Sequence, residues 1–302
     1  MINEALNIEN SEKVIILIPI YNGVNETIRC LNSVFKSTYT NVDVVIIDDG
    51  STDNSQEIIH QRFKMVKFIE GDGNLWWSGG MNEGIRYVLE NYNKDDIVIL
   101  LNNDNIIKPD MIENLMKSVK KHPNSVICSK VFIDGVDNQI LFAGGYASIG
   151  RAGLYIKGYY EMDNDAFNKV AEVNWCGGMG VAIPINIIKN VGLFDNKNFP
   201  QYFGDADYMY RVRKKGYKII YDPSCVCWNN REQTGFSIAD NKVSIEIIKK
   251  ILFNIKSNYD LNKNYKFYIK YFGVIKGFSM LFMKYSILSL SLLKKSIYSI
   301  IR

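Results

Sequence analysis

Short aliphatic runs alternate with helix-period segments along the first two thirds of the chain. Val14–Ile20, Val42–Ile47, Ile97–Leu101 and Val126–Phe132 are nearly continuous Val/Ile/Leu stretches, with a shorter one at Val66–Ile69. Unbroken apolar runs of this length mark parallel strands buried on both faces. Between them, Asn25–Lys36 sets Ile28, Leu31, Val34 and Phe35 on one helical face, and Gly79–Asn91 does so with Met81, Ile85, Val88 and Leu89. Ser55–Arg62 and Pro109–Lys121 read as two further helices, with Asn25 placed as an N-cap and Pro109 at a first helical position. This alternation predicts βαβ units: an α/β domain with a mainly parallel central sheet flanked by helices.

Periodicity weakens from Gly135 to Asn168, where Gly, Tyr and Asp rise, which predicts hairpins and loops. Beyond it, Val173–Ile183 reads as a strand interrupted at Gly177-Gly178. Ile185–Val191 and Asp205–Lys215 read as helices, and Tyr217–Tyr221 as a strand stopped by Asp222-Pro223. The resulting division is a main domain over 1–240, with halves at about 13–132 and 133–240, and a helical extension over 241–302. In the extension, Lys242–Ile255 is amphipathic, and Tyr265–Arg302 is apolar and aromatic but interrupted by Lys276, Lys284, Lys294 and Lys295. Those lysines break every stretch long enough for a bilayer span, which takes about twenty apolar residues. Two readings follow: a basic amphipathic helix lying in the headgroups of an anionic membrane, or a helical hairpin packed on the main domain or on a second copy of the chain.

Composition adds little to the fold but narrows the chemistry. The 302 residues are 47% hydrophobic and 23% charged, with a net charge of +4, ordinary values for a globular protein. Eight of the 36 Lys/Arg and none of the Asp/Glu fall from Leu261 onward, leaving a mildly acidic body with a basic tail. Such a tail suggests an anionic partner; nucleic acid is not expected. The five cysteines are odd in number and scattered, which reads as reduced thiols rather than a metal cluster. The start, Met1–Lys13, is polar and lacks the apolar segment of a secretory signal. A cytoplasmic protein is therefore expected, peripheral on the inner membrane face if the tail binds lipid. With only His60 and His122 available, both near the ends of polar helical segments, any general base is expected to be a carboxylate.

Candidate chemistry gathers where strands end. Val44–Ile47 runs into Asp48-Asp49-Gly50-Ser51, and Ile97–Leu101 into Asn102-Asn103-Asp104-Asn105. Open α/β sheets bind ligands outside the carboxyl ends of their strands. One acid of the first turn can accept the imide N–H of uracil or thymine. Asp104 and Asn102 offer oxygen ligands to Mg²⁺ or Mn²⁺, cations that share their coordination with substrate phosphates. The loop from Gly71 through Trp76-Trp77 to Gly79-Gly80 opens a helix, where backbone N–H groups favour phosphate. Trp175-Cys176-Gly177-Gly178 and the acids Asp205 and Asp207, at a helix start, complete the set. Each piece alone has a plainer explanation, such as an N-cap, an Asn/Asp turn or an acid complementing a helix dipole.

Together these pieces resemble the inverting nucleotide-sugar glycosyltransferases of family 2, with the GT-A fold. The matching residues are Ile18-Pro19-Ile20-Tyr21-Asn22, Val45-Ile46-Ile47-Asp48-Asp49-Gly50-Ser51, Asn74 to Gly84, Leu101-Asn102-Asn103-Asp104, and Gly192-Leu193-Phe194-Asp195 through Asp205-Ala206-Asp207. The resemblance covers roughly residues 13–235 and looks closest to the rhamnosyl- and galactosyltransferase-like branch of bacterial surface polysaccharide synthesis. It implies that Pro19, Tyr21, Asn22, Asp48 or Asp49, Asn74, Trp76, Trp77, Gly79, Gly80 and Asn103 hold a UDP- or dTDP-sugar donor. Asp104 with Asn102 would bind the metal, Trp175, Gly177 and Gly178 the glycan or lipid-linked acceptor, and Asp205 would be the base with Asp207 in support. Two departures stand out. Asn102 replaces the first acid of the metal motif, and Val226-Cys227-Trp228-Asn229 stands where many relatives carry a histidine. Two other readings compete: a non-catalytic nucleotide- or glycan-binding scaffold of the same fold, and a nucleotidyltransferase, which would need a Gly-rich motif with a paired Lys.

Overall fold

A computed structural model describes residues 12–230 and 244–301. The first half runs β1 (Val14–Ile20), α1 (Val24–Val34), β2 (Val42–Asp48), α2 (Ser55–Arg62), β3 (Lys67–Glu70), α3 (Trp76–Asn91), β4 (Ile97–Leu100), β5 (Asn105–Ile107) and α4 (Met111–Lys121). It continues through β6 (Ser125–Ile133), β7 (Ile140–Phe142), the hairpin β8 (Gly145–Ser148) and β9 (Gly153–Ile156), β10 (Ala171–Glu172) and β11 (Val181–Pro184). Then come α5 (Ile185–Val191), α6 (Gly204–Lys214), β12 (Lys218–Asn229), α7 (Ile245–Phe253) and α8 (Leu261–Ile301).

The central sheet has the order β10-β12-β6-β11-β4-β1-β2-β3, with β5 added to β12 and β7 to β6. Strands β4, β1, β2 and β3 are parallel, as the aliphatic runs predict, and β6 and β12 form a second parallel pair. Strand β11 enters antiparallel between β4 and β6 and joins the two halves. Helix α3 packs on β1 and β2, and α4 on β6 and β12. Gly84 makes the first contact close, since a Cβ there would lie 3.0 Å from Leu17 and Ile47 side-chain carbons.

Four sequence expectations need correction. Val173–Ile183 is not one strand: Val181–Pro184 is a strand of the sheet while Trp175 makes an isolated bridge to Gly145, because glycines at 177, 178 and 180 weaken a ladder and Gly180 takes φ +72°. Conversely, Asp222-Pro223 does not end β12. The strand passes through a bulge between Asp222 and Val226, where a proline costs no ladder bond, and continues to Asn229. Asn25 does not cap α1. That helix starts at Val24, whose N–H donates to Asp53 Oδ2 at 3.1 Å from the neighbouring turn. Pro109 lies before α4 rather than in it, and its carbonyl accepts from Thr38 N–H at 2.9 Å.

The C-terminal extension is a hairpin packed on the main domain, the second of the two readings. Gly273 (φ 72°, ψ 176°) breaks α8 into two arms, a backbone state essentially restricted to glycine. In the first arm Phe267 and Tyr268 are fully buried with Phe199, Phe203 and Ala206, and Tyr268 Oη accepts the Leu154 N–H at 3.1 Å. The second arm returns over the first: Lys284 Nζ donates to Asn264 Oδ1 at 2.7 Å, and Tyr285 Oη to the Tyr259 carbonyl at 2.9 Å. The basic side chains of the first arm largely serve the chain itself. Lys266 donates to Asn198 Oδ1 at 3.0 Å, and Lys270 to Asp207 Oδ1 at 2.6 Å. Gly273→Ala should destabilise the protein by about 1–3 kcal/mol, measured by urea denaturation. Nothing lies within 4 Å of the added methyl, so the whole loss would be conformational.

Candidate active site

The turns after β1, β2 and β4 are laced into one platform at the carboxyl end of the sheet. Asn22 sits at φ +60°, donates its N–H to Ser51 Oγ at 2.7 Å, and accepts the Thr52 N–H on Oδ1 at 2.7 Å. Asn103 Nδ2 donates to Thr27 Oγ1 at 3.2 Å and lies 3.1 Å from where a Gly23 Cβ would be. Tyr21 stands 61% exposed at the rim, and Pro19 packs on Gly80.

The acids of the second turn face inward. Asp48 accepts the Ser51 N–H at 2.8 Å. Asp49 accepts three backbone N–H groups: Gly73 at 2.9 Å and Leu75 at 3.1 Å on Oδ1, and Trp76 at 2.9 Å on Oδ2. Asp49 therefore builds the 71–76 loop, and its bonding accommodates Trp76 at φ +56°. Asn74 is a turn residue whose N–H donates to Asp72 Oδ1 at 2.9 Å. Gly79 and Gly80 are buried in α3 against Leu75 and Pro19 and are packing positions rather than a phosphate cradle.

Trp77 crosses from this half to the other. Its indole Nε1 donates to Asn102 Oδ1 at 2.9 Å, and its ring meets Phe194 edge-on with centroids 5.3 Å apart. A Cβ on Gly178 would lie 2.2 Å from Trp77 Cζ2, so only glycine admits the ring there. The next glycine along, Gly177, borders the expected base, with the Cβ position 3.2 Å from Asp205 Oδ2. One run of contacts thus leads from Asn102 through Trp77 and Gly178-Gly177 to Asp205. Trp175 is a wedge beneath the β8–β9 hairpin: its Nε1 donates to the Tyr146 carbonyl at 3.0 Å and its ring packs on Phe142.

Asp205 lies at the start of α6, half-buried, with Oδ1 accepting the Ala206 N–H at 2.7 Å. Burial pushes its carboxyl up to about 6, against the lowering effect of that N–H. Asp104 behaves likewise. Burial raises it to about 6 and the Glu26 charge adds to this, while Asn229 Nδ2, donating at 2.7 Å, works against it. Asn229 and Glu26 were not singled out from the sequence. Asn229 comes into reach because β12 runs on past its bulge, into the region where the histidine of many relatives was missed.

Asp207 has bonding of its own, apart from Asp205. Two positions along a helix amount to about 200° of rotation, so it points away from Asp205. Its buried carboxylate takes Lys270 Nζ and Tyr271 Oη on Oδ1, each at 2.6 Å, and Arg211 Nε on Oδ2 at 3.0 Å.

Asp104, Asn102 and the nearby Glu26 offer oxygen ligands, which suit a hard divalent cation, while the neighbouring thiols of Cys30 and Cys227 are buried and held in the neutral form by burial and by the Asp104 charge. Asn102 shares its oxygen with the Trp77 N–H, and no group of three His, Cys, Asp or Glu forms among the described residues. The set fits a cation that draws much of its coordination from a bound phosphate. All five thiols are free and buried.

Residues 15–180 match the family described as glycosyl transferase family 2. The chain belongs to that family. Similar relatives include glycosyltransferase GlyG of Streptococcus pneumoniae serotype 4 (strain ATCC BAA-334 / TIGR4), 29% identical over 44% of this chain and 44% of the relative. Poly-beta-1,6-N-acetyl-D-glucosamine synthase of Staphylococcus epidermidis is 25% identical over 72% of this chain and 50% of its own length. The chain thus spans half or less of these relatives. Among solved structures, GalNAc-T7 with UDP, GalNAc and Mn²⁺ superposes with a TM-score of 0.60 at 13% identity, over 83% of this chain and 50% of that one. S. aureus TarS 1–349 gives a TM-score of 0.52 at 14% identity, over 72% and 60%. These structures establish the GT-A fold for this family 2 chain.

One consequence concerns stability. A carboxyl whose folded value is raised from 3.8 to about 6 carries a penalty above pH 6 that disappears as the folded state takes up a proton. The penalty is up to about 3 kcal/mol. Asp205→Asn should therefore raise Tm at pH 8, and the difference should vanish below about pH 4; scanning calorimetry across that range tests it.

Proposed function

We propose that this family 2 protein is an inverting glycosyltransferase. It would move a sugar from a UDP- or dTDP-sugar to a hydroxyl of a glycan or lipid-linked acceptor in bacterial surface polysaccharide synthesis. The observation that carries the reading is Asp205, a half-buried carboxylate without a cationic partner among the described residues, with Oδ2 beside Gly177. Inversion needs one such base to take the acceptor hydroxyl's proton as that oxygen attacks the anomeric carbon. No second nucleophile is required. The donor would lie on the platform of the β1, β2 and β4 turns, with Tyr21 and Asn22 at its rim and the 71–77 loop beside it. Mn²⁺ accompanies the nucleotide in GalNAc-T7. Here Asp104, with Asn102, would hold Mg²⁺ or Mn²⁺, which would offset charge developing on the leaving diphosphate.

The test uses purified protein, Mn²⁺ and a panel of UDP-glucose, UDP-galactose, UDP-N-acetylglucosamine and dTDP-rhamnose, with nucleotide release as the readout. Asp205→Asn should cut turnover about 10²–10⁴-fold while UDP affinity stays unchanged. The rate should fall as pH drops below about 6, because Asp205 takes up a proton there. Wild type and Asp205→Asn equally inactive on every donor, with nucleotide still bound, would leave a non-catalytic scaffold.

The second arm of α8 supports a peripheral position on an anionic membrane. Ile275, Phe278, Phe282, Leu290, Leu293 and Ile297 are exposed. At 100° per residue they fall within a stripe about 120° wide, which the exposed Val274 and Ile287 extend to about 220°. Lys276 and Lys294 lie along its edge, the arrangement of an interfacial helix. By length and composition Leu261–Ile297 also passes as a membrane span, but its first arm is committed to the main domain. Phe278→Ser/Phe282→Ser should abolish cosedimentation with phosphatidylglycerol vesicles. An unchanged pellet, or a wild-type dimer lost in the variant, would assign the stripe to protein contacts instead.

A further inference from the structure

Asp205 sits between two residues that are bolted to the C-terminal helix. On one side Phe203, the left-handed residue (φ 67°) that turns the chain into α6, packs its ring against Phe267 at 5.0 Å and Tyr268 at 6.3 Å between centroids. Lys284 Nζ lies 5.3 Å from the same ring. On the other side the fully buried Asp207 takes Lys270 and Tyr271 on one oxygen, and Arg211 on the other. Arg211 carries the connection onward, donating to the carbonyls of Val191 at 3.0 Å and Leu193 at 2.8 Å. Asp205 itself accepts from Ala206 and faces Gly177, and it makes no hydrogen bond to α8. The helix can therefore act on that carboxylate only by fixing the backbone that presents it.

We propose that Lys270 and Tyr271 are positioning residues for Asp205, acting through Asp207, so that the first arm of the C-terminal hairpin is an integral part of the reaction centre. The inference rests on Asp205 being the base. Its physical basis is geometric. Phe203 caps α6 and residues 205 and 207 lie in its first turn, and the helix start is the part least constrained by its own hydrogen bonds. General-base catalysis depends on placing the carboxylate within hydrogen-bond reach of the attacking hydroxyl. Misplacement by about 1 Å can cost 10²-fold in rate. The donor platform is built from separate bonds on β1, β2 and β4, so loss of the clamp should spare donor binding.

The experiment uses the full chain and the sugar nucleotide of the panel that the wild type turns over fastest. Lys270→Met should lower kcat about tenfold to a hundredfold, with donor KM and UDP affinity by calorimetry within about twofold of wild type. Lys270→Arg, which keeps a cation for Asp207, should recover most of the rate, and Tyr271→Phe should give a smaller loss of kcat alone. Lys121→Met, the same change at an exposed position at the end of α4, should behave as wild type. The proposal is overturned if Lys270→Met keeps kcat within about twofold, or loses kcat and UDP affinity together, while Asp205→Asn remains inactive. Turnover retained in Asp205→Asn would remove the base assignment, and the clamp's proposed role with it.

Discussion

The indole of Trp77 is the contact on which the candidate site's geometry depends. The two parallel parts of the sheet are joined by β11, which runs antiparallel between β4 and β6. Above that junction Trp77 holds Asn102 by its N–H and fills the space left open by Gly178. Its own helix is pinned to the far half, with Ser78 Oγ donating to the Phe199 carbonyl at 2.6 Å and Asn82 exchanging bonds with the Phe194 backbone. A shift of this ring would move the Asp104 turn and the Asp205 glycines relative to each other. Rigid aromatic packing with one satisfied polar tip is a stable way to hold two such groups in register.

Asp205 and Asp207 show how environment divides labour between two acids in one helical turn. Asp207 is buried with three donors on its carboxylate, so its charge is fully used within the fold. Asp205 has a single backbone donor, and burial pushes it towards the neutral form. A carboxylate held that way is poor structural material, since a buried charge without a partner costs free energy. It is, however, suited to taking up a proton near neutral pH. Asp104 follows the same pattern with one neutral donor, Asn229, and a nearby acid, Glu26, a combination that a bound cation would relieve.

The sheet was legible because strands buried on both faces leave continuous aliphatic runs, and the parallel ladders of β1, β2 and β4 fall where those runs lie. The turns at their carboxyl ends were legible for the same reason. What stayed hidden depends on long-range contact. The continuation of β12 beyond Asp222-Pro223 rests on pairing with β6 and β5, and only that pairing delivers Asn229 to Asp104. Likewise, whether an acid faces a ligand or its own backbone is not written in its neighbours. Asp49 looks like a ligand group in sequence, yet three amides of the 73–76 loop take up its oxygens. Gly79 and Gly80 look like a phosphate cradle, but close packing against Leu75 and Pro19 accounts for them.

The charge of the basic tail is only partly free for a partner. Its charge suggested an anionic partner, yet Lys266 and Lys270 bond to the main domain, and Lys284 is enclosed by the rings of Phe203, Tyr259 and Tyr268. That enclosure, with no acid beside it, lowers Lys284 to about 7 by desolvation. Net charge counts formal ionisation and is blind to where a charge is spent. Pattern carries more here than charge does, because the stripe from Ile275 to Ile297 remains uncovered after the inward lysines are accounted for. The extension thus has two faces with separate physics: one holds α6 through buried polar contacts, and the other leaves apolar surface that the fold itself does not use.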